Sequence, residues 1–192
     1  MITVSNNALN YRSLRSLDSQ KLRFCSPVSL IVRPKADMCS TLISELFKAF
    51  SEETARAPLI SLRAGNAIDE YAAAIPFDTK QDQISDEYFE SFHWGISHLD
   101  PDSWRHYLPH LFNYALHRLH EGSVVTDALL SSLRPPDRSP ARLGSLSTEQ
   151  EKAIREAIEH LAFAKNSAHS ELACQVLEEW WLPNATYRPI TK

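Results

Sequence analysis

The chain has 192 residues, of which 43% are hydrophobic and 23% are charged, and both values are typical of a globular protein. A chain of this length buries enough surface to fold without disulfides or structural metals, and its composition excludes disorder of the whole chain. Its 4 glycines exclude a collagen-like protein, and no apolar run reaches the ~20 residues that span a bilayer. Three scattered cysteines, Cys25, Cys39 and Cys174, exclude a disulfide scaffold and predict a reducing, cytoplasmic setting.

Charge is distributed unevenly along the chain. Residues 1–36 contain six basic residues and one acidic residue, a net charge of +5, so that residues 37–192 carry −9 of the total of −4. Proteins that bind nucleic acids gain affinity by neutralising phosphates, whereas an acidic body suits a basic protein partner. We predict a basic, flexible N-terminal arm over 1–36, an acidic helical domain over 37–183 and a tail over 184–192.

The first predicted elements precede residue 81. Residues 28–32 are compatible with one short strand, because they are apolar and a proline follows soon after. Apolar residues at helical spacing predict a helix over 38–53, and Asp37 is expected to cap it. The stretch 55–80 is punctuated by prolines and favours a short helix through Ile68.

Two helix starts follow in close succession. Ser85 is expected to cap a helix that ends near Gly95, because acidic residues follow it in the first turn. Asp100 is expected to cap the next helix, with Pro101 as its first residue. We expect this helix to break near Pro109, because proline lacks a backbone donor and clashes with the preceding turn.

The C-terminal half predicts further helices. Residues 109–121 are amphipathic, 124–133 are apolar on most sides and predict a buried helix, and 134–147 form a surface loop rich in proline, serine and arginine. A capping box that begins at Ser147 starts another helix, and a closing helix ends at Pro183. The predicted fold is an all-α single-domain bundle of five to six helices, with at most one or two short strands near the N-terminus.

Three histidines of the predicted helical region are candidate metal ligands. His106, His110 and His117 would share one stripe of a continuous helix, but His110 and His117 are roughly 10 Å apart along its axis, which is too far for one ion. The sequence contains no phosphate-binding loop, nucleophile elbow or zinc motif. We therefore predict no metal, no cofactor and no catalytic residue, although distant residues can assemble a site that a sequence does not reveal.

Acidic residues supply the predicted partner-binding surface, which is expected to steer a basic protein to the domain. The alternative is an ordinary solvated helix face with capping carboxylates. Trp181 falls away from the apolar stripe of its helix, so it either docks against the preceding loop or is exposed at the contact site. The predicted partner-binding residues are Asp78, Asp82, Asp86, Glu87, Glu90, Asp100, Asp102 and Trp181.

Residues 104–109, Trp-Arg-His-Tyr-Leu-Pro, follow a proline-capped turn at Leu99-Asp100-Pro101. This segment resembles a family of small, uncharacterised bacterial helical proteins, a domain of unknown function with an aromatic–Arg–x–Tyr–Leu–Pro segment. The resemblance covers about residues 40–182 and implies no established catalytic residue. It implies that Arg105 and Tyr107 stand at hallmark positions, where we expect them to tie two helices together around Pro109.

Small helical proteins of this kind are similar in class to immunity proteins that neutralise toxins. The leading hypothesis is therefore a non-enzymatic, cytoplasmic protein-binding module, and specifically an immunity protein that blocks a basic toxin through an acidic surface. It predicts no nucleic-acid or membrane partner. The alternatives are an enzyme with a histidine-assisted site around His106 and His110, and an exported effector that uses the N-terminal arm as its secretion signal.

Overall fold

The structure, a computed structural model, describes residues 35–73 and 75–188. These residues form eight α-helices and no β-strand, which confirms the predicted all-α class for this part of the chain. The predicted strand over 28–32 and most of the predicted arm lie outside the described residues. The helices are α1 (Lys35–Ala49), α2 (Ser51–Thr54), α3 (Leu62–Asp69), α4 (Asp86–Phe92), α5 (Pro101–His117), α6 (Val124–Ser132), α7 (Thr148–Phe163) and α8 (Ser170–Val176).

Three shorter helical segments supplement them. A 3₁₀ segment, His93–His98, continues from α4, and a second one, Leu143–Ser145, precedes α7. A π turn, Leu177–Trp181, extends α8. The helix count exceeds the predicted five to six because short helices such as α2, of four residues, carry too few positions to show a periodic pattern.

The predicted helix starts at Ser85, Asp100 and Ser147 are confirmed. The Ser85 side chain accepts a hydrogen bond from the Tyr88 N–H at 3.2 Å, and one Asp100 oxygen accepts from two N–H groups of the first turn of α5. Ser147 and Gln150 form the reciprocal capping box. These caps satisfy backbone donors that have no partner inside a helix, which explains why their signal is strong in the sequence.

The predicted break at Pro109 is wrong, because α5 runs through it from Pro101 to His117. Proline removes one N–H from the helix, which is a local cost, whereas the apolar face of α5 is buried along its length. Leu108, Leu111 and Phe112 are fully buried, and Pro109 is itself buried. Tertiary packing therefore holds a helix that the local sequence disfavours.

Other predicted boundaries also shift. Asp37 does not cap the first helix, because α1 already begins at Lys35. The predicted helix over 38–53 is divided at Phe50 into α1 and α2. α6 is not buried on most sides, since Val124 is 59% exposed and only one face of the helix meets the core.

The core is built around α5, which contacts α1, α2, α6 and α7. Trp104, Tyr107 and Leu111 of α5 are fully buried, and so are Ile154 and Ile158 of α7. α7 also packs against α1 and α8. This arrangement leaves α4 and the 3₁₀ segment His93–His98 against α3 and α6, away from the α1–α7 pair.

The loop over residues 134–147 is a connection that the structure anchors at two places. The Asp137 carboxylate accepts hydrogen bonds from four backbone N–H groups of the loop. Arg142 is only 2% exposed, and its guanidinium donates to the carbonyl oxygens of Ser97 and Leu99. The loop is therefore tied to the segment that joins α4 and α5.

Candidate functional site

Two of the predicted surface carboxylates, Asp78 and Asp100, accept hydrogen bonds from nearby backbone N–H groups. The Asp78 side chain accepts hydrogen bonds from the N–H groups of Lys80 and Gln81, at 2.8 and 3.1 Å. Asp100 is the N-cap of α5. Both carboxylates bind backbone donors of the chain itself, so their first role is to hold the local backbone.

Asp82 is buried at the centre of a hydrogen-bond network. Arg63 donates to both of its oxygens, at 3.0 and 2.9 Å, and the Tyr88 hydroxyl and the Asp78 N–H donate at 3.1 and 2.7 Å. Burial raises the pKa of Asp82, but the hydrogen bonds from Arg63 and the backbone outweigh this effect and lower it below its usual value. The prediction that Asp82 contacts a partner is wrong, because its side chain is wholly buried in this ion pair.

Asp86 and Glu90 join α4 to the end of α5. Arg118 donates to Asp86 at 2.8 Å, and the Tyr114 hydroxyl donates to Glu90 at 3.0 Å. The Arg118 guanidinium also lies 4.3 Å from the centre of the Tyr114 ring. Both carboxylates remain solvent-exposed, but an arginine balances the charge of Asp86.

Asp102 is exposed and pairs with Arg105. Arg105 also contacts Glu53 of α2 at 3.3 Å and donates to the Ser145 hydroxyl. Arg105 therefore joins α5 to α2 and to the second 3₁₀ segment. The expectation that it ties two helices around Pro109 is wrong, because α5 is one helix.

Tyr107 is fully buried. Its hydroxyl lies 3.5 Å from that of Tyr88, which places it next to the Asp82 network. Burial raises the pKa of Tyr107 far above its usual value, so the phenol stays neutral. Its role is to connect α5 with α4 inside the core.

Of the two positions considered for Trp181, the structure shows the docked one. Trp181 is 2% exposed, and its indole N–H donates to the Leu133 carbonyl oxygen at 3.0 Å. The prediction that Trp181 contacts a partner is therefore wrong. It closes the core between the π turn and the end of α6.

Trp94 is the tryptophan that the structure exposes, at 62%. Glu87, Glu90, Ser91 and Trp94 are all exposed, at helical spacings of three, four and seven residues from Glu87. We call these four residues the α4 surface. The sequence carried this signal, since Trp94 falls about 140° around a helical wheel from the buried Phe89.

The α4 surface stands on a fixed backbone. Gly95 and Ile96, directly after Trp94, are buried. The His93 ring lies 5.0 Å from the Trp94 ring between centroids, and His93 Nδ1 lies 3.0 Å from the Glu90 carbonyl oxygen. Glu87 is exposed and no hydrogen bond or ion pair of its side chain is seen among the described residues, so its charge is available to a partner.

The three histidines of α5 are placed on one helix but do not converge. His106 Nδ1 lies 3.0 Å from the Glu53 carbonyl oxygen, and His117 Nδ1 lies 2.8 Å from that of Asn113. The His110 ring packs edge-on against Phe47, and burial, together with nearby His106, lowers the pKa of His110 to about 4. Among residues 35–73 and 75–188, no group of three or more potential ligands is arranged to hold a metal ion.

A cleft of about 340 Å³ lies between α2, residues 56–59 and the start of α5. Its lining contains charges of both signs, including Glu53, Arg56 and Arg105. The serine in the cleft, Ser103, donates to Asp100 and accepts from the Ile60 N–H. These contacts give Ser103 a structural role at the helix start and leave no histidine base on its hydroxyl among the described residues.

Comparisons with known proteins give one match. No curated protein and no solved structure matches the chain. Among the described residues, no helix combines the length and the apolar character that crossing a membrane requires. Residues 38–185 match a family of unknown function, DUF6714, and this range includes α2 to α8 and nearly all of α1. The chain therefore belongs to the DUF6714 family.

Proposed function

We propose that this domain is a non-enzymatic protein-binding module, and that its specific role is to neutralise a basic toxin as an immunity protein in the cytoplasm of a bacterium. The observation that carries the proposal is the exposed Trp94, which follows the exposed carboxylates of Glu87 and Glu90 along the chain. The family and the fold leave the role open, so the proposal stands on this surface and on the charge of the chain.

Trp94 supplies the affinity in this proposal. Tryptophan is enriched among the residues that dominate binding energy, because it removes a large apolar area from water when a partner covers it. An indole that is 62% exposed retains most of that area for a partner. Its position on a backbone whose next two residues are buried keeps the ordering cost of binding low.

The negative charge of the domain indicates the class of partner, a basic protein. Residues 37–192 carry a net charge of −9, and Glu87 and Glu90 are exposed on α4, which directly precedes the segment that carries Trp94. An acidic surface attracts a basic protein and speeds their encounter. Since arginines neutralise Asp82, Asp86 and Asp102, the contact surface is smaller than the sequence predicts and centres on α4.

The first experiment captures the partner with tagged protein from the native lysate, at low and moderate salt, and identifies it by mass spectrometry. Wild type is compared with Trp94→Ala and Glu87→Lys. Tyr187→Ala is the matched aromatic control, because Tyr187 is 61% exposed and lies beyond the π turn. Glu45→Lys is the matched charge control, on the exposed side of α1.

The proposal predicts one basic protein that wild type and both controls retain and that Trp94→Ala and Glu87→Lys lose. Rising salt should release it, because the charged part of the contact is screened. A partner that all five proteins retain equally would contradict the α4 surface. An acidic partner would contradict the immunity role as proposed.

A further inference from the structure

A thiol and an imidazole meet where α1 and α7 pack together, on a face of the molecule that the proposed function does not use. Cys39 Sγ lies 3.5 Å from His160 Nε2, although the two residues are 121 positions apart in the chain. Cys39 is partly exposed, whereas His160 is only 9% exposed. Part of Cys39 is therefore open to solvent, whereas the imidazole lies almost wholly inside the domain.

Both residues stand on fixed helices. At the other end of the helix pair, the Gln150 side chain donates to the Ala49 carbonyl oxygen at 3.3 Å, so α1 and α7 run antiparallel with both ends joined. Leu46 of α1 and Leu161 of α7 are fully buried, so both helices are anchored in the core. The helices thus keep the sulfur and the imidazole nitrogen within reach of each other.

The geometry points to Cys39 as a modification site: we propose that His160 accepts the proton of Cys39, and that the resulting thiolate reacts selectively with hydroperoxides. The thiolate is the nucleophilic form of cysteine, and a neighbouring histidine that becomes cationic stabilises it. A partly exposed cysteine that is paired with a histidine in this way differs from a buried structural cysteine, which is inert.

The reaction balances as a two-electron oxidation. The Cys39 proton moves to His160 Nε2, and the thiolate sulfur attacks one oxygen of the hydroperoxide. The S–O bond forms as the O–O bond breaks, the sulfur is oxidised to a sulfenic acid, and the peroxide is reduced. The leaving hydroxide or alkoxide takes the proton from His160 and departs as water or an alcohol.

The test compares cysteines within one protein at pH 7. Cys25→Ser serves as the background, so that Cys39 and Cys174 are the thiols that remain. Cys174 is the internal reference, because it is also partly buried and packs against the core. Labelling by iodoacetamide and trapping of sulfenic acid by dimedone after addition of hydrogen peroxide are followed at each cysteine by mass spectrometry.

Cys39 should react about tenfold faster than Cys174 with iodoacetamide and with hydrogen peroxide. Ionisation raises the fraction of Cys39 that is present as thiolate, but it also lowers the intrinsic nucleophilicity of that thiolate, so the gain in rate is moderate. In His160→Gln the rate at Cys39 should fall to that of Cys174. His169→Gln is the matched control, because His169 is also buried, at 5% exposed, and stands at the start of α8, where its ring contacts Asp127. It should leave Cys39 unchanged.

The ultraviolet absorbance of the thiolate reports the ionisation of Cys39 directly. A Cys39–His160 contact that only supported the fold would not produce this absorbance. Cys39→Ser should remove this absorbance at pH 7, whereas Cys174→Ser should not. Equal rates at Cys39 and Cys174 in the Cys25→Ser protein that retains His160 would overturn the proposal. This comparison holds even if His160→Gln does not fold. An unchanged Cys39 rate in folded His160→Gln would also overturn it.

Discussion

Gly65 and Gly95 lie against each other where α3 crosses the 3₁₀ segment that follows α4. A Cβ atom on Gly65 would stand 2.5 Å from the Gly95 carbonyl oxygen, and one on Gly95 would overlap the Leu62 carbonyl oxygen. Backbone meets backbone at this crossing, so no flexible side chain can move aside. The crossing fixes the segment that carries Trp94, and it therefore links the packing of the domain to its proposed contact surface.

Gly95→Ala should destabilise the domain by about 3 kcal/mol or more, because the added methyl group forces two backbones apart. Gly122→Ala is the control, since a Cβ atom at Gly122 would meet nothing within 4 Å. It should change the free energy of unfolding by less than about 1 kcal/mol. Urea denaturation measures both. Equal stabilities of the two variants would contradict the close crossing.

Asp82→Asn should cost about 3 kcal/mol of stability, because it leaves the Arg63 guanidinium facing a neutral partner in a buried network. Since the pKa of Asp82 is lowered by folding, its contribution is complete above the pKa of an unfolded aspartate and is lost as pH falls through the lowered value. Asp102→Asn, at an exposed pair, should cost less than about 1 kcal/mol. Denaturation at neutral pH and in mild acid measures whether Asp82→Asn costs more stability than Asp102→Asn.

Burial of His110 adds a second loss of stability in acid, because the fold favours the uncharged form of the ring. Its folded pKa is about 4, below the ordinary value of 6.5, so the fold favours neutral imidazole. That stability is complete above the unfolded pKa and is lost as pH falls from 6.5 towards 4. Between pH 7 and 5, His110→Leu should lose about 1 kcal/mol less than wild type, a value reduced for partial exposure of the ring. Identical losses would show that His110 does not titrate in this range.

Arg142→Met should destabilise the domain by about 2 kcal/mol, because it leaves the carbonyl groups of Ser97 and Leu99 without their buried donor. Burial and the nearby Arg138 lower the pKa of Arg142 to about 10, so the guanidinium is still charged at neutral pH. Hydrogen exchange over residues 134–147 should accelerate. Arg138→Met, at an exposed position, should change neither quantity. Unchanged exchange in Arg142→Met would contradict the anchoring role.

The helix starts could be predicted because their signals are local. Ser85, Asp100 and Ser147 each satisfy backbone donors within three residues, so a short stretch of sequence contains the whole interaction. The continuity of α5 through Pro109 could not be predicted in this way, because distant helices bury the face that sustains it. The same holds for the close crossing at Gly65 and Gly95, which brings together backbone from two distant parts of the chain.

The candidate surface is predictable only in part, because some of its residues are paired with residues that are distant in the sequence. Charge alone placed Asp82 and Glu87 in one surface, but the arginine that buries Asp82 lies 19 residues away and leaves no local pattern. The sequence leaves the position of Trp181 open between exposed and docked, because Leu133, which accepts its N–H hydrogen bond, is 48 residues away. Trp94 has a local signal for exposure, because it stands about 140° from Phe89 on a helical wheel.

The most direct test of the proposed function measures the affinity of the captured partner for wild type, Trp94→Ala and Tyr187→Ala by calorimetry at one salt concentration. Thermal unfolding first checks that Trp94→Ala folds as wild type does, as expected for an exposed side chain. Trp94→Ala should weaken binding at least tenfold, which is the loss expected of a central tryptophan, whereas Tyr187→Ala should bind as wild type does. A folded Trp94→Ala that binds the partner as tightly as wild type would contradict the central claim.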